Sequence, residues 1–125
     1  MTRYFLDTYA LIEIAEKNHN FEKYTNAAIS VTSDLNLMET KYILIRNYGT
    51  VVSEPIVSLF EKISIAPTRV DLLNASDFKL KMKKENNVNV SYIDATGYEI
   101  AKRIEAKFVT GDKAFEKLEN VEFVK

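Results

Sequence analysis

The sequence has 125 residues, of which 46% are hydrophobic and 28% are charged, and its formal net charge is −1. This length and composition predict one globular domain, residues 1–125, that can bury a core without covalent cross-links. The absence of cysteine excludes disulfides, iron–sulfur clusters and thiolate zinc sites. A near-neutral total gives no general attraction to nucleic acid, although it can hide a basic rim around an acidic centre.

The chain opens with two predicted strand–helix pairs. A short apolar strand at 3–6 precedes a helix that begins at Asp7, and a second apolar run at 27–31 precedes a helix capped by Thr32-Ser33. Gly49 is well placed to end this second helix. The face expected to be buried on it carries an apolar stripe of Leu35, Met38, Tyr42 and Ile45.

The middle of the chain predicts two more helices separated by a short strand. Ser53 is expected to cap the first of these helices, and the run at 63–66 predicts an edge strand that ends at a proline. A helix is then expected at 74–85, with Asn74 or Ser76 as its cap.

The last third of the chain predicts a helix at 91–106, a strand at 108–109, a short helix at 113–118 and a strand at 121–124. Strands that alternate with helices pair in parallel and carry helices on both faces of the sheet, so the predicted fold class is α/β. In such folds ligands bind beyond the carboxyl ends of the strands. The predicted helix at 91–106 has a regular buried stripe of Ile93, Gly97, Ile100 and Ile104.

Four acidic residues stand beside residues that are expected to be buried. Burial removes the hydration of a carboxylate, and neighbouring carboxylates repel one another, so a hard cation is the usual reason to keep several together. This pattern favours a Mg²⁺ or Mn²⁺ site, whose common use is phosphodiester chemistry. The four are Asp7 after Tyr4-Phe5-Leu6, Glu39 in Leu37-Met38-Glu39-Thr40, Asp94 in Tyr92-Ile93-Asp94-Ala95, and Asp112 after Phe108-Val109-Thr110-Gly111.

Each of these acids also has a purely structural explanation. Asp7 and Asp112 both precede predicted helices and could serve only as N-caps. Glu39 could lie at the edge of the core with its carboxylate extended to solvent, and Asp94 could only complement a helix dipole. Small residues after Asp94 favour a helix that lies close against the sheet, with Asp94 at its pocket-facing start.

The basic and aromatic residues give weaker signals. The lysines between 79 and 84 predict a solvated helix face, and His19 is expected in an exposed loop. Tyr9 and Tyr98 are candidates for stacking against bases because each is near a proposed ligand. The cations expected close to the acids, where they could contact the phosphates of a phosphodiester substrate, are Arg46, Lys102, Arg103 and Lys113.

Taken together, the four acidic segments resemble a PIN domain, and more closely the small toxin ribonucleases of the VapBC type. The resemblance spans nearly the whole chain in the right order, and its first and last segments are the more specific. The matching segments are Phe5-Leu6-Asp7-Thr8-Tyr9-Ala10-Leu11-Ile12, Leu37-Met38-Glu39-Thr40, Ile93-Asp94-Ala95 and Phe108-Val109-Thr110-Gly111-Asp112-Lys113-Ala114-Phe115.

The resemblance implies a three-layer α/β/α domain around a central parallel sheet and a Mg²⁺- or Mn²⁺-dependent endoribonuclease. It places four metal-binding and catalytic acids at Asp7, Glu39, Asp94 and Asp112, with supporting hydroxyls at Thr8 and Thr110. It also implies a small antitoxin partner that occludes the cleft, and a homodimer, for which the predicted helix at 53–62 is one possible surface.

The resemblance has one departure that bears on activity. Many PIN domains carry a further acid two residues after the last ligand, where this chain has Ala114. A catalytically weak RNA-binding or scaffold module is therefore an alternative. A phosphoacceptor receiver domain fits less well, because Asp7 is followed by Thr8 rather than by a second acid and no Asp occurs between residues 42 and 61.

Met1-Thr2-Arg3 leads directly into a strand-like run, and no apolar stretch approaches the ~18 residues that span a bilayer. We therefore expect a cytoplasmic protein.

Overall fold

Five short parallel strands form the centre of the computed structural model, which describes residues 1–125. Their order across the sheet is β3-β2-β1-β4-β5, and every neighbouring pair is parallel. The predicted parallel α/β fold is therefore confirmed, with the predicted edge strand β3 at one side. The strands are β1 (Tyr4–Leu6), β2 (Ser30–Ser33), β3 (Ser64–Ile65), β4 (Lys107–Thr110) and β5 (Val121–Phe123).

Helices connect the strands and flank the sheet. Short 3₁₀ helices at His19–Thr25 and Lys113–Phe115 complete the connections. None of the helices combines the length and the apolar character needed to cross a membrane. The α-helices are α1 (Thr8–Ala15), α2 (Asp34–Tyr48), α3 (Thr50–Glu61), α4 (Arg69–Asn86) and α5 (Tyr92–Arg103).

Two hydrophobic clusters lie on the two faces of the sheet, because successive strand residues point to opposite sides. Phe5 and Phe108 belong to the cluster covered by α4 and α5. Leu6 and Val109, the next residue of each strand, belong to the cluster covered by α1 and the first 3₁₀ helix. This alternation fixes the register of β1 beside β4, which pairs Phe5 with Phe108 and Leu6 with Val109.

The predicted buried stripe of α2 is wrong. Met38 and Tyr42 are 60% and 65% exposed, and the fully buried residues of α2 are instead Asn36, Thr40 and Leu44. The inward face of this helix is largely polar, and its Asn36 is hydrogen-bonded inside the protein. A pattern that assigns apolar residues to the core cannot detect a buried polar face, here one in which Asn36 is hydrogen-bonded and the Thr40 hydroxyl has no partner.

Two helix starts also differ from the prediction. Helix α3 begins at Thr50, directly after Gly49 at φ 82°, so Ser53 is a buried residue inside the helix and not its cap. Helix α4 begins at Arg69 and extends further towards the N-terminus than residues 74–85. Its cap is a reciprocal pair, in which Thr68 Oγ1 accepts from the Asp71 N–H and the Asp71 carboxylate accepts from the Thr68 N–H.

Helix α5 lies close to the sheet at Gly97, as the small residues after Asp94 predict. A Cβ atom at Gly97 would lie 2.8 Å from Cε1 of Phe5 and 3.3 Å from Cε1 of Phe108. Both rings are fully buried and stack on each other, so they have little room to move. This close approach sets the height of α5, and of Asp94 in its first turn, above the sheet.

Gly97→Ala should lower the free energy of unfolding by about 1–3 kcal/mol, because the added methyl group overpacks this contact and outweighs the better helix propensity of alanine. Urea denaturation measures the change. Ser76→Ala, at an exposed position of α4, is the control and should change stability by less than about 0.5 kcal/mol. A Gly97→Ala protein as stable as the wild type would contradict the close packing of α5.

Candidate active site

The four predicted acids line one pocket of about 500 Å³ at the carboxyl edge of the sheet. Asp7 directly follows β1, and Asp112 lies two residues beyond the end of β4, the strand next to β1. Asp94 comes from the first turn of α5 and Glu39 from the second turn of α2. Four separate elements therefore deliver one carboxylate each to the same open space.

Asp7 is the most deeply buried of the four acids, with only 2% of its surface exposed. Its Oδ1 accepts a hydrogen bond of 2.8 Å from the Ala10 N–H, so Asp7 caps α1 and lines the pocket at the same time. Burial raises the pKa of Asp7 to about 8, although the Thr110 hydroxyl and the Ala10 N–H lower it, and the charges of Asp94 and Asp112 raise it further. The cap and the pocket are thus not alternatives.

Asp94 is also affected by burial and by the other acids of the pocket. Partial burial raises the pKa of Asp94 to about 6, with the negative charges of Asp112 and Glu39 adding to the rise and the Ser91 hydroxyl opposing it. Ser91 caps α5 by accepting a 3.0 Å hydrogen bond from the Asp94 N–H, which fixes the backbone of this first turn. The repulsion between carboxylates is therefore a property of the folded pocket.

The turn after β4 presents Asp112 to solvent at the pocket. The carboxylate of Asp112 accepts from the Ala114 N–H at 3.0 Å, and the Asp112 N–H donates to the buried hydroxyl of Thr110 at 3.0 Å. Ala114, which stands where many PIN domains have an acid, packs against the core cluster that contains Phe108 and does not line the pocket. The pocket therefore has four carboxylates and no fifth one.

The buried side-chain amide of Asn36 links α1 to α2 beside the pocket. Asn36 is fully buried, accepts from Ser33 Oγ at 2.6 Å and donates through Nδ2 to Thr8 Oγ1 at 3.1 Å. Asn36 thereby ties the start of α1, where Asp7 lies, to α2 one turn before Glu39. Sequence reasoning missed this residue, and the only local signal is a polar residue three positions after a helix cap.

The positions of the expected cations are mostly wrong. Lys102 pairs with Glu99 at 3.7 Å, Arg103 forms a bidentate pair with Asp71, and Arg46 lies over the ring of Tyr42. None of these three lines the pocket, whereas Lys113 and Lys125 do. Sequence distance from an acid did not predict spatial distance here.

Of the two candidate stacking residues, Tyr9 and Tyr98, only Tyr9 lies at the pocket. Tyr98 is buried in the core with its hydroxyl donating to the Glu119 carbonyl, whereas Tyr9 lines the pocket. His19 is exposed, as predicted.

The donor atoms of the pocket suit a hard divalent cation. Its acidic side chains supply only oxygen, and no cysteine or histidine lines it, which is the ligand type that Mg²⁺ and Mn²⁺ prefer. The carboxylates do not form a closed cluster, since no group of three or more Asp, Glu, His or Cys residues is close enough to hold an ion as it stands. An open site of this kind suits an ion that keeps several of its own waters.

With the geometry established, comparison with known proteins assigns the family. The PIN domain family model matches residues 4–121, almost the entire chain. This chain belongs to the PIN domain family. No curated protein matches the sequence significantly.

Solved structures share the fold of this PIN domain at low sequence identity. VapC20 of Mycobacterium tuberculosis, described as a toxin that cleaves the sarcin–ricin loop, has a TM-score of 0.75 and 16% identity, with 98% of this chain and 99% of that chain covered. A VapBC2 structure from Rickettsia felis, bound to a promoter DNA fragment, has a TM-score of 0.78 and 14% identity, with 99% of this chain and 100% of that chain covered. DNA-bound VapBC from Salmonella typhimurium has a TM-score of 0.75 and 18% identity, with 98% of this chain and 97% of that chain covered. These likenesses confirm the three-layer PIN fold.

The raised pKa of Asp7 predicts a pH-dependent stability of the metal-free PIN domain. Because the folded pKa of about 8 exceeds the ordinary 3.8, the native state binds the extra proton between these values, so stability falls as pH rises from about 4 to 8. Asp7→Asn should keep the cap to Ala10 but remove the charge. It should be more stable than the wild type by a few kcal/mol at pH 8, and about equal to it at pH 4.

Thermal unfolding in EDTA across this pH range measures the difference. Asp77→Asn, at an exposed position of α4, removes one charge outside the pocket and should follow the wild-type pH profile. If Asp7→Asn also follows that profile, the carboxylate of Asp7 is ionised at no free-energy cost and the electrostatic description of the pocket is wrong.

Proposed function

We propose that this PIN domain is a Mg²⁺- or Mn²⁺-dependent endoribonuclease, in which residues 1–125 act as one nuclease domain in the cytoplasm. The observation that carries the proposal is the convergence of Asp7, Glu39, Asp94 and Asp112 on a single open pocket. Uncompensated carboxylates destabilise the folded protein, so their convergence requires a functional reason. Family membership supplies the reaction class.

The residues of the pocket would divide the work as follows. Asp7, Asp94 and Asp112 would hold the cation directly or through its waters, and Glu39 would act either as a fourth ligand or as the base that orients the attacking water. Mg²⁺ or Mn²⁺ would supply the Lewis acidity that phosphodiester hydrolysis needs. The Thr8 and Thr110 hydroxyls would support the ligands, and Thr110 already contacts the Asp112 backbone.

The shape of the site favours single-stranded or looped RNA as the substrate. The pocket is open to solvent at the end of the sheet, and three of its four acids are partly or fully exposed there. A flexible strand can bend to place one phosphate deep in such a pocket, whereas the regular geometry of a duplex restricts how far a single phosphate can enter.

We further propose that the protein is the toxin of a toxin–antitoxin pair. Support comes from the fold shared with VapC20 and with VapBC complexes. The antitoxin would be a small protein that occludes the acidic pocket, and a basic side chain from it would be a physically suitable plug. The protein would also form a homodimer, and the exposed Val51, Val52 and Leu59 of α3 offer one apolar surface for it.

Asp94→Asn should lower the rate of single-stranded RNA cleavage by about 100-fold or more, because it removes one negative ligand while keeping the size of the side chain. The wild-type enzyme should be inactive in EDTA and should recover activity with Mg²⁺ or Mn²⁺. Cleavage of an end-labelled oligonucleotide measures both effects, with circular dichroism to show that the variant is folded.

Asp77→Asn, purified in the same way, is the matched control and should cleave at the wild-type rate. Equal cleavage by the wild type and Asp94→Asn would indicate a contaminating nuclease and would sink the assignment. Activity that survives EDTA in the wild type alone would refute the metal dependence while keeping the nuclease.

Induced expression of the wild type in a bacterial host should arrest growth, and Asp94→Asn should not, because arrest depends on the pocket and not on the mass of protein. Co-expression of a small DNA-binding protein encoded next to this chain should restore growth. Colony counts after induction measure the effect. Equal growth with the wild type and Asp94→Asn would argue for a housekeeping nuclease rather than a toxin.

A further inference from the structure

Lys125 is a cation at the acidic pocket. It has no role in the predictions from sequence or in the proposed mechanism. Its side chain lines the pocket together with the four acids. The Lys125 ammonium lies 5.6 Å from the ring centroid of Tyr9 and 5.8 Å from that of Phe123. Both distances are within the range of a cation–π contact, so the two rings hold the ammonium at the mouth of the pocket.

The backbone at Lys125 is held by hydrogen bonds to two other parts of the chain. The Val124 N–H donates to the Thr110 carbonyl at 2.9 Å, which continues the pairing of β5 with β4 up to the turn that bears Asp112. The Lys125 carbonyl accepts a 2.7 Å hydrogen bond from Asn20 Nδ2. The position of the lysine is therefore built by the fold and does not depend on its flexible side chain alone.

Gly111 makes this arrangement possible. A Cβ atom at Gly111 would lie 2.2 Å from Cε1 of Tyr9 and 2.7 Å from the Val124 carbonyl oxygen. A side chain there would push the Tyr9 ring and the segment after β5 apart. The turn before Asp112 thus has the one residue that lets the aromatic support and the lysine meet beside the pocket.

The charge of Lys125 is not consumed within the protein. The three ion pairs of the structure involve Lys23, Lys102 and Arg103, and none involves Lys125 or Lys113. Its ammonium therefore keeps donors available for an anionic ligand at a pocket whose other charges are mostly negative. Those carboxylates repel an approaching RNA strand, and a cation at the rim is what would offset that repulsion.

We propose that Lys125 binds a backbone phosphate of the RNA strand next to the phosphate that is cleaved, and that Tyr9 is a positioning residue that holds the lysine there. This inference rests on the proposed ribonuclease function. A lysine acts as a point charge and reads no base, so this contact would add affinity without sequence preference. Tyr9 would act through Lys125, since one face of its ring is already covered by the ammonium.

Binding can be measured apart from cleavage in an Asp94→Asn background, with a fluorescein-labelled single-stranded RNA, Mg²⁺ and a series of salt concentrations. Lys125→Ala should raise Kd about tenfold at low salt, and should lower the slope of log Kd against log salt by about 0.7. Lys125→Arg keeps the charge and the cation–π contact and should stay within about threefold of the parent. Tyr9→Leu should give an intermediate Kd, and Tyr9→Phe should match the parent.

Lys81→Ala removes the same charge from an exposed position of α4 and is the matched control, with an unchanged Kd and salt slope. A merely structural role of Lys125 would alter the melting temperature without altering the salt slope, so that result would overturn the inference. A Lys125→Ala protein that behaves like Lys81→Ala would also overturn it. In both cases, RNA cleavage by the wild type would leave the proposed function intact, whereas a wild type that neither binds nor cleaves RNA would remove both.

Discussion

The parallel pairing of β1 with β4 is the constraint on which the rest of this PIN domain depends. It aligns Phe5 with Phe108 and Leu6 with Val109, and so places both core clusters. The same pairing ends the two strands side by side, which brings Asp7 and the turn carrying Asp112 to one edge. The packing of the apolar residues therefore also determines where the carboxylates repel each other, and the stability of the core must outweigh that repulsion when no cation is bound.

Much of the fold could be predicted from the sequence because its signals are local. Short runs such as 3–6 and 108–109 are apolar and bounded by turn residues, and their alternation with helices implies a parallel sheet. Two of the acids could be located for the same reason, since Asp7 follows β1 directly and Asp112 lies two residues beyond β4. The hydroxyl at Ser33 and the glycine at position 49 mark the two ends of α2 as local capping chemistry requires.

The features that sequence reasoning missed depend on contacts between distant residues. The orientation of α2 is set by Asn36, whose partners include Thr8, 28 residues away in the chain. Which cations lie near the pocket depends on the strand order, because β5 leads Lys125 to a position next to Tyr9. Arg103 instead pairs with Asp71 outside the pocket. The sequence left a helix cap and a ligand as alternatives at Asp7, and in the structure one of its oxygens caps α1 while the residue also lines the pocket.

The course of the chain after β5 has a practical consequence for handling the protein. Residues joined after Lys125 would start at the mouth of the pocket, beside Tyr9 and within reach of the turn that bears Asp112. Met1, by contrast, is fully exposed and precedes β1, at the opposite edge of the sheet from the carboxylates. A purification handle or a fluorescent fusion therefore belongs at the amino end, where it leaves the entrance open to a substrate or an inhibitor.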